Sequence, residues 1–241
     1  MKYYSTYKSI YISPPFGNYI SLEGCKSIKG TYTWHPRKGL IRQVIKTLRP
    51  VRGGWRNSIG FRNRGFSTIN KLDYTKTYSI SKIKEESKVS WQDFIERIPA
   101  YIPVEINIGC PNVSSISISN EDIKNFTKKL FDISIKVSPN TKTSYIEKLW
   151  ELGIRKFHLS NTLPIQTYGV SGYPLKRINL PFVERVAKLD LKYTRLIAGG
   201  GIYTPQDVMD YHNAGATDYS LSTVFFTPWK VPKVIRRIKK L

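Results

Sequence analysis

From residue 101 onward, short apolar runs alternate with segments of helical period. The stretch 104–109, VEINIG, sets Val104, Ile106 and Ile108 against Glu105, Asn107 and Gly109, a period of two that reads as a strand. A helix follows around 120–131, then a strand at 133–138, a helix at 144–153 ending on Gly153, and a strand at 156–160. A helix near 181–190 leads to a strand at 195–200. Thr204-Pro205-Gln206-Asp207 then opens another helix with a capping residue, a first-turn proline and an acid three residues after the cap. A strand at 217–223 and a basic amphipathic helix at 229–240 complete the series; the Val/Ile stripe of that helix is expected to pack on the sheet. Strands alternating with helices predict βαβ units and a parallel sheet.

The first hundred residues are less regular. Strands are predicted near 11–13, 26–33 and 77–81, and a helix at 90–98 begun by Ser90 and Asp93. About eight strands favour a closed (βα)8 TIM barrel over an open sheet. It would be compact, truncated in its first βα units, and one domain spanning residues 1–241. Segment 34–75 reads as an excursion of turns and basic residues.

Composition narrows this. A 40% apolar fraction supports a real core, and no run of about 18 apolar residues is present, so no membrane span is expected. The start, MKYYSTYKSIYISPP, lacks the apolar stretch of a secretory signal and shows no Arg-rich amphipathic helix. Two cysteines are too few for a disulfide framework and fit a reducing, cytoplasmic setting. The sequon Asn112-Val113-Ser114 carries no weight without a secretory route. Net charge is +22, and residues 1–66 hold 13 Lys and Arg against one acid, Glu23. Such a field draws polyanions and anionic substrates, nucleic acid among them. A compositional bias of the source genome accounts for it equally well.

Candidate chemistry gathers at predicted C-terminal strand ends, where βα barrels carry their active sites. Pro111 forbids continuation of a central strand and leaves Cys110 on a strand-to-loop corner. Gly199, Gly200 and Gly201 precede a helix, and Ser222 and Thr223 end the next strand. That pair of features suits a phosphate. Asn57, Asn107, Asn112 and Asn161 offer planar donor–acceptor heads that match the amide edges of a pyrimidine or flavin. Lys136 ends a strand, and a lysine inside a barrel requires an anionic partner.

Taken in order, EINIGCPN, KVSPN, LSNT, GVSGYPLK, LIAGGGI, NAGATDYSLSTVFF and, upstream, IKGTYTWHPRKG and NSIGFRNRGF resemble the dihydroorotate dehydrogenase family over residues 25–66 and 100–241. The resemblance implies a barrel holding FMN that oxidises dihydroorotate to orotate in pyrimidine (UMP) biosynthesis. Cys110 would be the base taking the C5 proton, and the C6 hydride would go to flavin N5. Asn57, Asn107, Asn112, Asn161 and Thr162 would hold the pyrimidine, with the backbone of Ile59, Gly60 and Phe61. Lys29 would sit between substrate and flavin, with Asn107 also near the flavin and Lys136 at its N1/O2 edge. Ser171, Gly172, Gly200, Gly201, Ser222 and Thr223 would face its phosphate side. A cysteine base marks the soluble class. An electron acceptor, not identified by the sequence, and a homodimer go with that class.

The chain departs from the family pattern in several places. It leaves no room for a first helix between SPPFGN and Lys29. GNYI replaces the small-residue flavin contact after the first strand, and Gly30 stands where a hydroxyl is usual. The loop after CPN is short and serine-rich. These losses leave a non-catalytic flavin- or nucleic-acid-binding relative as an alternative. NIGCP is also similar to the cysteine motif of tRNA-dihydrouridine synthases, FMN barrels that act on RNA. Leu159, Ser160 and Asn161 stand where that family carries a His-x-Arg type motif.

Overall fold

A computed structural model describes residues 8–109, 118–165 and 168–241. The chain runs β1 (Ile10–Ile12), β2 (Lys26–Tyr32), α1 (Leu40–Thr47), β3 (Arg49–Val51), β4 (Gly54–Asn57), β5 (Thr77–Ile80), α2 (Trp91–Arg97) and β6 (Val104–Asn107). It continues through α3 (Asn120–Lys129), β7 (Ile133–Val137), α4 (Thr143–Glu151), β8 (Lys156–Leu159), β9 (Leu163–Ile165) and β10 (Tyr168–Gly172). Then come α5 (Tyr173–Ala187), β11 (Arg195–Gly199), α6 (Pro205–Asn213), β12 (Asp218–Leu221) and α7 (Val231–Lys239).

Eight strands close into a parallel barrel in the order β1-β12-β11-β8-β7-β6-β5-β2. This is the expected (βα)8 barrel, and its first unit is truncated as anticipated: only the short 3-10 turn Phe16–Asn18 lies between β1 and β2. Alternation explains the packing. Outward-facing Ile80, Ile106, Ile135, Phe157 and Tyr219 are buried beneath a helical layer that contributes Phe94, Phe126, Phe182 and Tyr211. Each such side chain is worth on the order of 2 kcal/mol in burial. The barrel interior is mainly polar, with Ser79, Glu105, Ser134 and His158 buried; Tyr11, Ile28 and Ile197 form a small apolar cluster of their own.

Two elements differ from the sequence reading. The helix expected near 181–190 begins at Tyr173, because Pro174 serves in its first turn and Pro181 is accommodated inside it. Asn179, on the buried face of that helix, donates to the Leu159 and Gly199 carbonyls at 2.7 and 2.6 Å and fastens α5 to two barrel strands. The excursion 34–75 is structured. It contributes α1 and the hairpin β3–β4, which joins β10 and β9 in a four-stranded antiparallel sheet ordered β3-β4-β10-β9. The aromatic rings of Trp55 and Phe226 (4.3 Å between centroids) and of Phe226 and Phe16 (5.0 Å) clasp this sheet to the ends of β12 and β1.

Glycine is required where β4 meets β10: a Cβ on Gly54 would lie 2.1 Å from the Ser171 carbonyl oxygen, and one on Gly172 would lie 2.7 Å from the Gly54 Cα. Gly54→Ala should cost on the order of 1–3 kcal/mol of local stability. Hydrogen exchange should then quicken in β3, β4 and β10 while the barrel strands keep their protection. Equal loosening of the barrel would show that the sheet is not a separate layer.

Candidate active site

A cavity of about 540 Å³ opens over the C-terminal ends of the barrel strands and is walled on one side by β4, β10 and α1. Parallel register brings Asn107, Lys136 and His158 side by side on β6, β7 and β8. All three line the cavity, as do Asn57, Ile59, Gly60, Phe61, Asn161, Thr162, Ser171, Gly172, Gly200, Gly201, Ser222 and Thr223. Cys110 and Asn112 lie outside the described residues. Immediately before them, a Cβ on Gly109 would stand 2.7 Å from the Ser138 nitrogen, so the chain leaves β6 hard against the end of β7.

Lys29 is placed differently from the expectation. It lies on β2 and is not among the residues lining the cavity; its ammonium donates at 2.8 Å to the carbonyl of Asn18, which does line it. Burial lowers its pKa, and neighbouring Lys76 adds to the effect. Gly30 and Thr31, the next two residues, take its place in the wall.

The amide heads are fixed by one another. Asn107 Nδ2 donates to Thr31 Oγ1 and Asn161 Nδ2 donates to Asn107 Oδ1, both at 3.0 Å. Ser81 Oγ donates to the Asn107 carbonyl at 2.8 Å. Four barrel-strand ends therefore share one hydrogen-bonded floor, and buried polar groups so paired hold a single geometry. Asn57 Oδ1 accepts from the Ile59 amide at 3.3 Å, which turns the loop so that Gly60 and Phe61, both at positive φ, face the cavity.

At the opposite end, Gly172, Gly200 and Gly201 have φ of 96°, 87° and 74°. The α6 N-terminus beyond them is already closed: Asp207 accepts from the Tyr203 and Thr204 amides and pairs with Lys176. The glycine backbone, Ser222 and Thr223 are what this end of the cavity presents.

Below the floor, His158 Nδ1 meets Glu105 Oε2 at 2.5 Å, with both side chains essentially unexposed. Sequence reasoning missed this pair. The signal was present, since Glu105 shares the inward phase of Asn107. Burial alone would raise the Glu105 carboxyl, but His158, Lys136 and a Ser79 hydrogen bond outweigh it and hold the pKa at about 2. Burial pushes the His158 imidazole below its usual value; Lys136 adds to this and Glu105 opposes it. Glu105 is thus the ionised partner and His158 the neutral Nδ1–H donor, and the anion that a lysine in this barrel requires is Glu105. Two buried polar atoms facing this region, His158 Nε2 and Thr162 Oγ1, have no protein partner among the described residues.

The fold and the cavity define a (βα)8 barrel with a polar, lysine-bearing floor at its C-terminal end. Residues 149–241 match the sequence model of the dihydroorotate dehydrogenase family. The catalytic subunit of dihydroorotate dehydrogenase B (NAD(+)) from Bacillus mycoides is 27% identical over 256 residues, which cover 92% of this chain and 81% of the relative. That of Bacillus cereus (strain B4264) is 27% identical over 257 residues with the same coverage. The ligand-free DHODH of Eimeria tenella superposes with a TM-score of 0.71 at 18% identity, covering 96% of this chain and 82% of that one.

The buried pair makes stability pH-dependent. The Glu105 contribution is present above its ordinary 4.5 and is lost as pH falls toward about 2. His158 stays neutral when folded, whereas an unfolded imidazole gains a proton below 6.5. Stability should therefore decline by about 1.4 kcal/mol per pH unit as pH drops below that value. Denaturant titrations of His158→Gln should lose this slope between pH 6.5 and 5; an unchanged slope would assign it to another group.

Proposed function

We propose that the cavity binds FMN and oxidises dihydroorotate to orotate, with Cys110 as the base. One observation supports this reading above the others. Side chains and glycines from seven barrel-strand ends, the β4 loop and β10 surround a single cavity of about 540 Å³. Its wall runs from clustered amides at one end to positive-φ glycines and small hydroxyls at the other.

The residues present suit FMN. Glycine backbone with Ser171, Ser222 and Thr223 fits a phosphate. Lys136 offers a cation to the electron-rich edge of an isoalloxazine, and the unpartnered Thr162 hydroxyl awaits a polar ligand atom. When bound, FMN supplies the two-electron acceptor for the hydride leaving substrate C6.

The chain's own residues do the rest. Asn57, Asn107 and Asn161 present donor and acceptor to the amide edges of the pyrimidine, with Asn112 completing the set. The mutual Asn107–Asn161 bond fixes which end of each amide faces the ligand. Cys110 Sγ, as thiolate, takes the C5 proton, and the surrounding positive field favours that ionisation. Lys136 in turn helps hold Glu105 ionised beneath it. The same reading sets this chemistry in the cytoplasm; among the described residues no helix is long and apolar enough to cross a membrane.

Purified protein should show flavin absorbance that bleaches when dihydroorotate is added without air. Absence of flavin, or flavin that dihydroorotate leaves oxidised, would sink the proposal. Cys110→Ala should stay yellow yet bleach more slowly by roughly 10²–10⁴-fold, the usual worth of a positioned base. Normal bleaching would remove Cys110 from that role. Lys136→Ala should release flavin more readily on dialysis or slow its reduction, and full occupancy with normal reduction would argue against its assignment.

A further inference from the structure

Helix α1 is mounted inside out. Its polar side is tied to the protein: Gln43 Nε2 donates to the Ser58 carbonyl at 2.8 Å, and the Ser58 amide donates to Thr47 Oγ1 at 3.1 Å. No residue of the helix is buried. Leu40, Ile41, Val44, Ile45 and Leu48 all border the cavity mouth, and of these Ile41 and Ile45, one turn apart, stay 76% and 69% exposed on its outer rim. Tyr19, 75% exposed, stands on the same rim. At 100° per residue, Arg42 and Lys46 flank the two isoleucines on the side away from the cavity. A surface helix of a globular protein ordinarily buries its apolar stripe and solvates its polar one. Helix α7, more basic still, does so by burying Val231, Val234 and Ile238.

Along the chain on either side of α1, charge is of one sign. Between Glu23 and Asp73 the chain carries twelve lysines and arginines and no acid. Lys38, Arg42, Lys46, Arg49, Arg52, Arg56, Arg64 and Lys71 among them are exposed. Arg49 also closes the C-terminus of α1 by donating to the Ile45 and Leu48 carbonyls, both at 2.8 Å, which fixes the helix and its cations in one orientation.

We propose that this face docks on the surface of an anionic lipid bilayer, with Ile41, Ile45 and Tyr19 entering the headgroup layer and the surrounding lysines and arginines neutralising lipid charge. A narrow apolar ridge on a segment whose own charged side chains are all cationic is the arrangement of interfacial helices, in which apolar burial and electrostatic attraction add. A protein partner of ordinary composition would face many like charges without acids to pair them. The inference stands apart from the flavin reading and does not depend on it.

The test is co-sedimentation of the full chain with vesicles of phosphatidylcholine alone or mixed with phosphatidylglycerol. Binding should require phosphatidylglycerol and weaken as salt rises. Ile41→Ser with Ile45→Ser, which keeps the charge and alters only exposed side chains, should weaken it by about tenfold or more. Arg42→Gln with Lys46→Gln should weaken it several-fold. Lys233→Gln with Arg236→Gln, removing equal charge from α7, should leave it unchanged. Several results would overturn the proposal: wild-type protein remaining in the supernatant, the serine pair binding as tightly as wild type, or the α7 pair weakening binding as much as the α1 pair. A dimer dissolved by the serine pair, in a protein that ignores vesicles, would assign the face to a second copy instead.

Discussion

Closure of the barrel at its shortest strand is the constraint on which everything else rests. β1 has three residues, and it must pair with both β12 and β2 for the sheet to become a cylinder. Main-chain bonds alone over so short a seam are few, and side chains reinforce it. The Ser9 amide donates to Asp218 Oδ1 at 2.7 Å, while Asp218 is held from the other side by Arg195, whose Nε donates to Oδ2 at 2.6 Å. Near the top of the seam the Ser13 and Ser220 hydroxyls meet at 2.5 Å. Were the seam open, Ser222 and Thr223 would no longer face the asparagines across the mouth, and the cavity would have no second wall.

The interior is a stack of charge layers. At the base, Lys156 pairs with Asp132 at 2.5 Å and Arg195 with Asp218, while Lys26 rests 5.8 Å from the Tyr11 ring centroid. Burial lowers the Lys26 pKa and the neighbouring Lys156 lowers it further, as a cation displaced from water beside another cation requires. One level up, Glu105 and His158 form the buried pair, and above them stand Lys136 and the linked asparagines. Charges are compensated within and between neighbouring layers, Lys156 by Asp132, Arg195 by Asp218 and Lys136 by Glu105. This explains how a chain with so large a positive excess can leave carboxylates in its core without exposing them to solvent.

Much of this was legible in the sequence wherever one strand's pattern decided the outcome. The alternation of VEINIG told that β6 buries its isoleucines outward and turns Glu105 and Asn107 inward. The glycine run and Ser222-Thr223 marked the far wall because their chemistry is local. What escaped was set by partners distant in sequence. β4 pairs with β10, more than a hundred residues away, and neither carries a periodicity long enough to announce a strand. Pro181 lies inside α5, where a proline is ordinarily unfavourable, yet Asn179 anchors the preceding turn to the barrel and the helix passes through. The motif around Lys29 located its strand correctly, but the Asn18 carbonyl supplied by the truncated first unit captures its ammonium, an acceptor that strand spacing alone could not reveal.

The close approach of Gly54 and Gly172 has a mechanical consequence. β4 and β10 are bonded residue for residue, Trp55 to Ser171 and Asn57 to Gly169, so the amide at one end of the cavity and the hydroxyl at the other ride on one stiff ribbon. Neither can shift without tilting its counterpart. Displacement at either end of the cavity is therefore carried along the ribbon to the other.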